Sequence, residues 1–500
     1  MVFCGGSWIE LGNVAHTTFE IFWILGVRMG RLTEDYGKNV ARMRRMLRVE
    51  ENFDLLVKTL QLGDGEMTLF FIDGFVKDAV MQKLMMHFLS QKKLSGSAEE
   101  FVRRAVPYVE TDVVRDVDTM VHMVLSGATL VLGSSFGAEA IVIDTRTYPA
   151  RETAEPEGDR VMLGARDGFV ETLIFNTALI RRRIRSPQLT MHYLSIGEDS
   201  KTDVVICYMA DRADVKYVER VKARLTSVRT DALTVGHESL SECLIHQRWY
   251  NPFPKIRTTE RPDSASAQLL EGSVLILIDN TPQVMVLPSS IFDFMQESND
   301  FYFPPLTGTY IRVVRYVVFF LTFALTPAWY LLTLYPDIAP PWLTFALPEY
   351  SGKLPIFVQL LLVEFIIDAL RLASLNTPNM LNNSLSVVGG LILGDFAVDI
   401  GWLIPEVILY MAFVAIANFT QRSYELGYAI KFLRIFVLIL TAFFRIWGFA
   451  AGVLISMVLV ATNSTVNGKR SYLYPLIPFD GRALKTLLVR VKKRPKGEGR

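Results

Sequence analysis

The stretch YVVFFLTFALTPAWYLLTLY, residues 316–335, decides the fold class because it runs for 20 residues without a charged side chain. A helix of that length, rising ~1.5 Å per residue, crosses a hydrocarbon core of ~30 Å. Pro327 lies inside the stretch, and a membrane helix tolerates such a proline because neighbouring groups satisfy the freed carbonyl. The stretch therefore predicts a transmembrane helix.

The composition of the whole chain agrees with two unlike halves. The 500 residues are 51% hydrophobic and 21% charged, with a mean hydropathy of +0.28. This is too apolar for an ordinary soluble enzyme and too charged for a chain lying wholly in the membrane. The formal net charge of +1 argues against a nucleic-acid partner, because a phosphate-binding surface normally brings a basic excess.

Further apolar segments follow the first, at 356–375, 385–404, 405–419 and 430–462. They predict five or six membrane elements, the larger number applying if Arg445 and Gly448 divide the last segment. Arg312 and Arg315 precede the first span, and the tail 490–500 is densely basic, so both belong on the cytosolic side. The connection 336–354 carries only Lys353 as a basic residue and fits the outer side.

Upstream of residue 311 the pattern alternates between strand-like and helix-like segments. A strand ending in an Asp-Gly turn is predicted at 67–75. Further strands are predicted at 128–133, 138–145, 202–209 and 272–279, and helices at 78–89 and 214–225. The fold class is therefore an α/β soluble N-terminal region of two subdomains followed by an α-helical transmembrane domain. The predicted boundaries are a poorly defined extension at 1–50, subdomains at 51–198 and 199–310, a membrane domain at 311–470 and a basic cytosolic tail at 471–500.

Charges within the apolar segment 385–404 require an explanation, because each costs ~2.5–3.5 kcal/mol at bilayer depth. Helical spacing of ~100° per residue puts two sets of side chains on opposite faces. The small-residue stripe contains Gly390, Gly394, Ala397 and Gly401, and the other face contains Val388, Asp395 and Asp399. Small residues let helices approach closely, so the carboxylates would line an aqueous, cation-attracting path. The alternative is that they pair with Arg434 or Arg445 in a packed bundle.

The segment 356–375 carries a second set of charges. Glu364, Asp368 and Arg371 share one helical face, and Asp368 can pair with Arg371 three residues later. An interfacial helix lying on the bilayer explains this pattern best. A pore-lining or gating helix is the alternative.

No catalytic or cofactor motif is found, so an enzyme, a cofactor and a metal are not expected. The six histidines form no HExxH, and no GxxxxGK[ST] occurs. The sequence GSSFG, residues 133–137, resembles a nucleophile elbow but is better explained as a hairpin turn, because more strand follows it. The run RRRIR, residues 181–185, is interpreted as a solvated face, with anionic lipid or a neighbouring subunit as alternatives. The three cysteines, Cys4, Cys207 and Cys243, form no CxxC motif and cannot all pair with one another, which is typical of a protein in a reducing compartment.

Several segments together resemble the A-subunit family of bacterial spore germinant receptors. They are EPEGDRVMLGARDGFVETLIFNTALIRRRIRSPQL (155–189), NPFPKIRTTERPD (251–263), LLEGSVLILIDNTPQVMVLP (269–288), IRVVRYVVFFLTFALTPAWYLL (311–332) and GGLILGDFAV (389–398). The resemblance runs from about residue 52 to 478. The sequence departs from the family at GARDGF (164–169), where a proline-containing motif is usual, at IDNTP (278–282), and at Asp395, where many members carry Gln.

This resemblance implies a multi-pass protein of the spore inner membrane, with its N-terminal region and tail on the cytosolic side. It implies a homo-oligomeric, pentameric ion channel that releases monovalent cations during germination. FFIDGFVKD (70–78) resembles the branch without a nutrient-binding companion of its own, which acts with a small membrane partner. Expected partners are that protein or germinant-receptor subunits, and membrane lipid. The alternative function is a non-conducting membrane scaffold that recruits or gates the dipicolinic acid channel or germinant receptors.

Overall fold

The computed structural model describes residues 2–4, 7–9, 30–63, 65–91, 93–94, 96–147, 164–245, 248–297, 299–349, 352–376, 396–421, 423–463, 466 and 471–490. The chain forms two compact units. The first contains 1–156, 167–237 and 259–284, and the second contains 157–166, 238–258 and 285–500.

An antiparallel five-stranded sheet with strand order β3-β4-β6-β7-β5 forms the first half of the α/β region. Its strands are β3 (Leu55–Leu62), β4 (Gly65–Ile72), β5 (Thr111–Val114), β6 (Thr129–Gly133) and β7 (Ala140–Ile143). The helices of this part are α1 (Tyr36–Leu47), α2 (Asp78–Leu89), α3 (Ala98–Ala105) and α4 (Val117–Leu125). A separate pair, β1 (Val2–Cys4) and β2 (Ser7–Ile9), is antiparallel.

Two predictions about this sheet are confirmed, and one region contains more structure than expected. Strands β6 and β7 pair through the turn at GSSFG, where Gly137 has φ +60°, so these residues form a hairpin. Helix α2 has the predicted bounds. Helix α1 lies within the segment predicted to be a poorly defined extension, yet Met43 and Leu47 are fully buried in the core of the sheet.

The second five-stranded sheet has the order β10-β12-β11-β9-β8. Its strands are β8 (Leu189–Ile196), β9 (Thr202–Met209), β10 (Arg257–Thr259), β11 (Val274–Ile278) and β12 (Val284–Leu287). Helices α5 (Leu173–Arg183), α6 (Val215–Ser227), α7 (His237–Leu244) and α8 (Pro262–Leu270) accompany it. The predicted strand 202–209 and the helix that Asp214 caps are confirmed, as is a buried strand within 272–279.

Arg181 is a buried structural residue, which corrects at this position the interpretation of 181–185 as a solvated face. Its side chain is fully buried and donates two hydrogen bonds to Asp54, at 2.8 and 2.9 Å. It also donates to the backbone oxygen of Leu189 at 3.2 Å and to Asn52 Oδ1 at 3.3 Å. Arg183 pairs with Asp167 and is mostly buried as well. Arg181 therefore joins α5 to the strands, whereas Arg182 and Arg185 are exposed.

The second unit is largely helical. It contains α9 (Ile291–Met295), α10 (Asn299–Tyr302), α11 (Pro305–Leu334), α12 (Ile356–Asn376), α13 (Ala397–Asp399), α14 (Pro405–Phe419), α15 (Tyr424–Ala461) and α16 (Gly481–Leu488), with short 3-10 helices at Pro336–Ile338 and Pro341–Ala346. By length and composition α11 and α15 are candidate membrane spans, and α14 is a shorter apolar helix. Helix α12 has 21 residues and is mostly apolar.

Helix α15 is a hairpin of two helices, because Arg445 has non-helical backbone angles of φ 55° and ψ −132°. In a straight helix, residues eight apart would be separated by ~12 Å, whereas a Cβ on Gly448 would overlap the backbone of Leu440. A Cβ on Gly452 would lie 3.1 Å from the Cα of Val437. The predicted division at Arg445 and Gly448 is therefore confirmed, and glycine is what permits the two helices to touch.

The helices of the second unit have an internal order that their contacts define. Gln359, in the first turn of α12, accepts a hydrogen bond from the Ile404 amide at 2.9 Å just before α14 begins. At the other end of α12, Arg371 packs on Phe419 at the end of α14 and on Tyr424 at the start of α15. Helices α12 and α14 therefore run in the same direction, and α15 starts from the end at which both finish.

The N-terminal end of α11 is fixed by a buried ionic cluster. Asp300 is fully buried and accepts hydrogen bonds from Arg312 at 3.2 Å and from Arg315 at 2.8 and 2.9 Å. Arg315 also pairs with Glu297 at 2.6 Å. Arg312 additionally donates to the backbone oxygen of Thr486 at 2.9 Å, so the tail helix α16 is joined to the start of α11.

Candidate functional site

Four charged side chains meet inside the helical bundle. Glu364 and Asp368 lie one turn apart on α12, and Lys431 and Arg434 lie one turn apart on α15. Arg434 donates to Glu364, and Lys431 pairs closely with Asp368 and at 3.6 Å with Glu364. Arg434 also donates to the backbone oxygen of Thr322 on α11 at 2.9 Å. The cluster therefore connects three helices.

The opposite charges of the cluster compensate one another, so the four residues together are stable where each buried charge alone would be unfavourable. Glu364, Lys431 and Arg434 are buried, and each would carry a large desolvation cost alone. Two carboxylates face two cations, so the cluster is formally neutral. Removing one partner of a buried pair typically costs ~3–5 kcal/mol, because the remaining charge stays buried. These residues hold helices together, and the pairing of Asp368 with Arg371 predicted from spacing is replaced by one with Lys431.

Arg371 instead lies in a cage of aromatic rings. Its guanidinium carbon is 5.1 Å from the ring centroid of Phe419, 6.0 Å from that of Tyr424 and 5.6 Å from that of Tyr428. Cation–π contacts of this length attract the cation to the negative faces of the rings. The spacing of Glu364, Asp368 and Arg371 indicated one common face. It could not indicate that their partners lie some 50 to 70 residues further along the chain.

Only part of the predicted carboxylate helix falls within the described residues. Val388, Gly390, Gly394 and Asp395 lie outside them. Asp399 is exposed, and within the described ranges it makes no hydrogen bond or ion pair; Arg434 pairs with Glu364 instead. Ala397 is half-buried against the apolar core that contains Trp329, Leu360 and Val407.

Gly401 does not occupy a helical stripe, which corrects its predicted position. The helix ends at Asp399, and Gly401 has φ +77°, a conformation that L side chains rarely adopt. Its backbone oxygen accepts a hydrogen bond from the Lys353 amide at 2.9 Å. Gly401 is therefore a turn that attaches this segment to the connection before α12.

The described part of the chain offers no group of three or more His, Cys, Asp or Glu side chains arranged to hold a metal ion.

Comparison with known proteins identifies the family. The family model described as Bacillus/Clostridium GerA spore germination protein matches residues 42–496. The chain belongs to the GerA family. It is 35% identical to stage V sporulation protein AF of Bacillus subtilis over 468 residues, covering 93% of this chain and 94% of that protein. It is 26% identical to spore germination protein KA of the same organism, covering 93% and 87%.

A solved structure also resembles part of this GerA-family chain. The crystal structure of the N-terminal domain of the A subunit of the Bacillus megaterium spore germinant receptor GerK3 aligns with a TM-score of 0.39 and 21% identity. The alignment covers 51% of this chain and 96% of that domain. The resemblance read from the sequence segments is thus confirmed by the family match, and the protein is a spore germination protein of the GerA family.

Proposed function

We propose that this protein is a subunit of a homo-oligomeric ion channel that releases monovalent cations across the spore inner membrane during germination. The segment that contains Val388, Asp395 and Asp399 would line the path. The observation that carries the proposal is the position of the two chain ends on either side of that segment.

Those ends lie at opposite ends of the helical bundle. Arg371, near the end of α12, contacts Tyr424 and Phe419, whereas Gly401 and Ile404 contact Lys353 and Gln359 at the start of α12. The proposal assigns the membrane crossing to the apolar segment 385–404 predicted from the sequence, which begins in the part of the chain that joins these two ends.

The distribution of partners supports a conducting role for the carboxylates of this segment. The acidic residues of α12 are neutralised by Lys431 and Arg434. Asp399 is exposed and, among the described residues, unpaired. An unneutralised carboxylate at one end of a membrane path concentrates cations there, and Asp395 would continue the same charge one turn away.

Packing within one copy supports a path formed between copies. The bundle interior is filled by buried apolar side chains such as Trp329, Leu360 and Met411. Side chains packed in this way exclude water from the part of the bundle interior that the structure describes. By its resemblance to germinant-receptor A subunits, the protein would form a pentameric ring. A small membrane partner or receptor subunits would open this ring.

The charges and aromatic residues at the two ends support the proposed orientation. Arg312, Arg315 and the tail helix α16 meet at one end of α11. Trp342 and Phe345 are exposed in the connection that follows its other end. Basic residues favour the cytosolic side, and exposed aromatic rings favour a membrane interface. The α/β region and the tail would thus face the spore core.

The test is ion flux from liposomes containing the purified full-length protein. We expect selective efflux of monovalent cations, and we expect Asp395→Asn with Asp399→Asn to lower cation-over-anion selectivity. Asp337→Asn is the matched control, because Asp337 is an exposed carboxylate of the connection after α11 and should leave selectivity unchanged. Unchanged selectivity in the double variant would remove these residues from the path. Absent flux, together with normal germination when the α/β region is tethered by an unrelated membrane anchor, would favour the scaffold instead.

A further inference from the structure

Four consecutive apolar residues are exposed in the connection before the tail helix. Leu476, Ile477 and Phe479 are 43%, 57% and 73% exposed, and Pro478 between them is exposed as well. Scattered apolar residues on a surface need no explanation, but a continuous exposed run of this length indicates a partner. We call this segment, 476–479, the apolar tip.

The apolar tip is held in place by its neighbours. Tyr472 is buried with Phe253 and Phe294 and with Leu426 near the start of α15. Its backbone oxygen accepts a hydrogen bond from the Ile291 amide at 2.9 Å. Asp480 accepts a hydrogen bond from the Tyr474 hydroxyl at 3.0 Å and caps α16. The tip therefore projects from a structured base.

That base lies beside the end of the first membrane helix. Besides the Arg312 contact to Thr486, the amide of Arg490 donates to the Thr309 hydroxyl at 3.1 Å. Both α11 residues lie within two turns of Tyr316, where the uncharged stretch begins. The end of α16 is thus attached to the helix near the point where it would enter the hydrocarbon, and Tyr316 packs against the same core as Tyr472 at the base of the tip.

Basic residues accompany the tip. Arg482 and Lys485 are exposed on α16, whereas Leu487 on the same helix is buried. Between 471 and 490 the sequence has three basic residues and one acidic residue, and beyond 490 it remains rich in Lys and Arg. A segment with projecting apolar side chains and adjacent cations is complementary to an anionic bilayer surface, where the apolar part enters the headgroup boundary and the cations meet phosphates.

We propose that the apolar tip inserts into the cytosolic leaflet of the bilayer that holds the protein, and that Arg482 and Lys485 bind anionic phospholipid headgroups. The segment is a lipid-docking surface, separate from the path proposed for ions. The proposal rests on the chain spanning the membrane, but it does not depend on the protein conducting ions.

The experiment places a fluorescent probe on the tip. Full-length protein with Cys4→Ser and Cys243→Ser carries Ile477→Cys, labelled with the polarity-sensitive NBD group, in nanodiscs of phosphatidylcholine with increasing phosphatidylglycerol. We expect the emission to shift to the blue and to be quenched by doxyl-labelled lipid as phosphatidylglycerol increases. Arg482→Gln with Lys485→Gln should move this transition to a higher phosphatidylglycerol fraction. Buried Cys207 should remain unlabelled.

A matched label at Glu198→Cys, on an exposed loop of the α/β region, should show water-like emission in every lipid. Water-like emission of the tip label at all compositions would overturn the proposal. A blue shift without quenching by doxyl lipid would also overturn it, because the tip would then contact protein, such as a second copy. Flux measured after the same labelled protein is reconstituted in liposomes separates the outcomes, since a conducting protein with an unquenched tip refutes lipid docking alone.

Discussion

Replacing Arg181 by Met should destabilise the α/β region strongly, whereas replacing Arg183 by Met should not. The first change leaves the Asp54 carboxylate buried without its two-pronged partner and removes bonds to Leu189 and Asn52. Breaking a buried pair in this way costs ~3–5 kcal/mol. For a domain of 150–250 residues, ~2–4 °C per kcal/mol converts this to a fall in Tm of roughly 6–20 °C.

Cys207 supplies an assay specific to this region. It lies on β9, its side chain is fully buried, and burial together with the nearby Asp54 carboxylate raises the pKa of its thiol. Since the thiolate is the reactive form, Cys207 should react with a fluorogenic maleimide only on unfolding. The full-length protein with Cys4→Ser and Cys243→Ser is heated with the dye, and the midpoint of the fluorescence rise is the apparent Tm.

The controls separate the buried pair from a general effect of charge. Arg183 pairs with Asp167 where both side chains are still partly exposed, and such a pair contributes ~1 kcal/mol or less. The double variant Arg181→Met with Asp54→Leu should recover most of the lost Tm, because no charge remains buried. Equal shifts for Arg181→Met and Arg183→Met, or no recovery in the double variant, would refute the reasoning.

Three further predictions concern other parts of the molecule. Gly448→Leu should prevent closure of the α15 hairpin, because overpacking costs ~1–3 kcal/mol or more. The yield of monodisperse protein on gel filtration should therefore fall. Gly427→Leu is the control and should leave this yield unchanged, because a Cβ at Gly427 would meet open space. Arg434→Met should lower thermal stability in detergent, because Glu364 would stay buried beside a single cation. Arg434→Met with Glu364→Leu should restore part of the lost stability. A double variant no more stable than the single variant would contradict this reasoning. Burial and the nearby Lys222 lower the pKa of His192 in the folded protein, so the unfolded chain binds more protons between that pKa and ~6.5. Stability should therefore fall as pH drops below ~6.5, as followed by Cys207 labelling, and His192→Gln should flatten this dependence.

Local patterns predicted much of the architecture. Four features could be predicted because each depends on periodicity or on a turn within a few residues. They are the helix 78–89, the strand 202–209, the hairpin at 133–137 and the division of the last apolar segment. Helix α1 could also have been found. Its buried Asn39, Met43 and Met46 have helical spacing, but its several basic residues obscure the apolar face.

Long-range partners were not readable from one sequence. The spacing of Asp368 and Arg371 suggests that they pair with each other. In the fold Asp368 pairs with Lys431, and Arg371 lies in an aromatic cage. Arg181 belongs to a basic run typical of a solvated face, and only the position of Asp54, some 130 residues earlier, makes it a core residue. Gly401 fitted a helical stripe by number, but its left-handed backbone angle ends the helix. Tertiary contacts decided each of these cases.

The break at Arg445 has a consequence for how the protein is made. Because the chain reverses there, residues 471–490 return to the beginning of α11, where Thr309 and Arg312 bind them. Arg312 and Thr309 of the first membrane helix leave the ribosome 174 and 181 residues before their partners Thr486 and Arg490. These two contacts form only after residue 490 has been made, so a chain that stops before residue 486 would lack them at its first span.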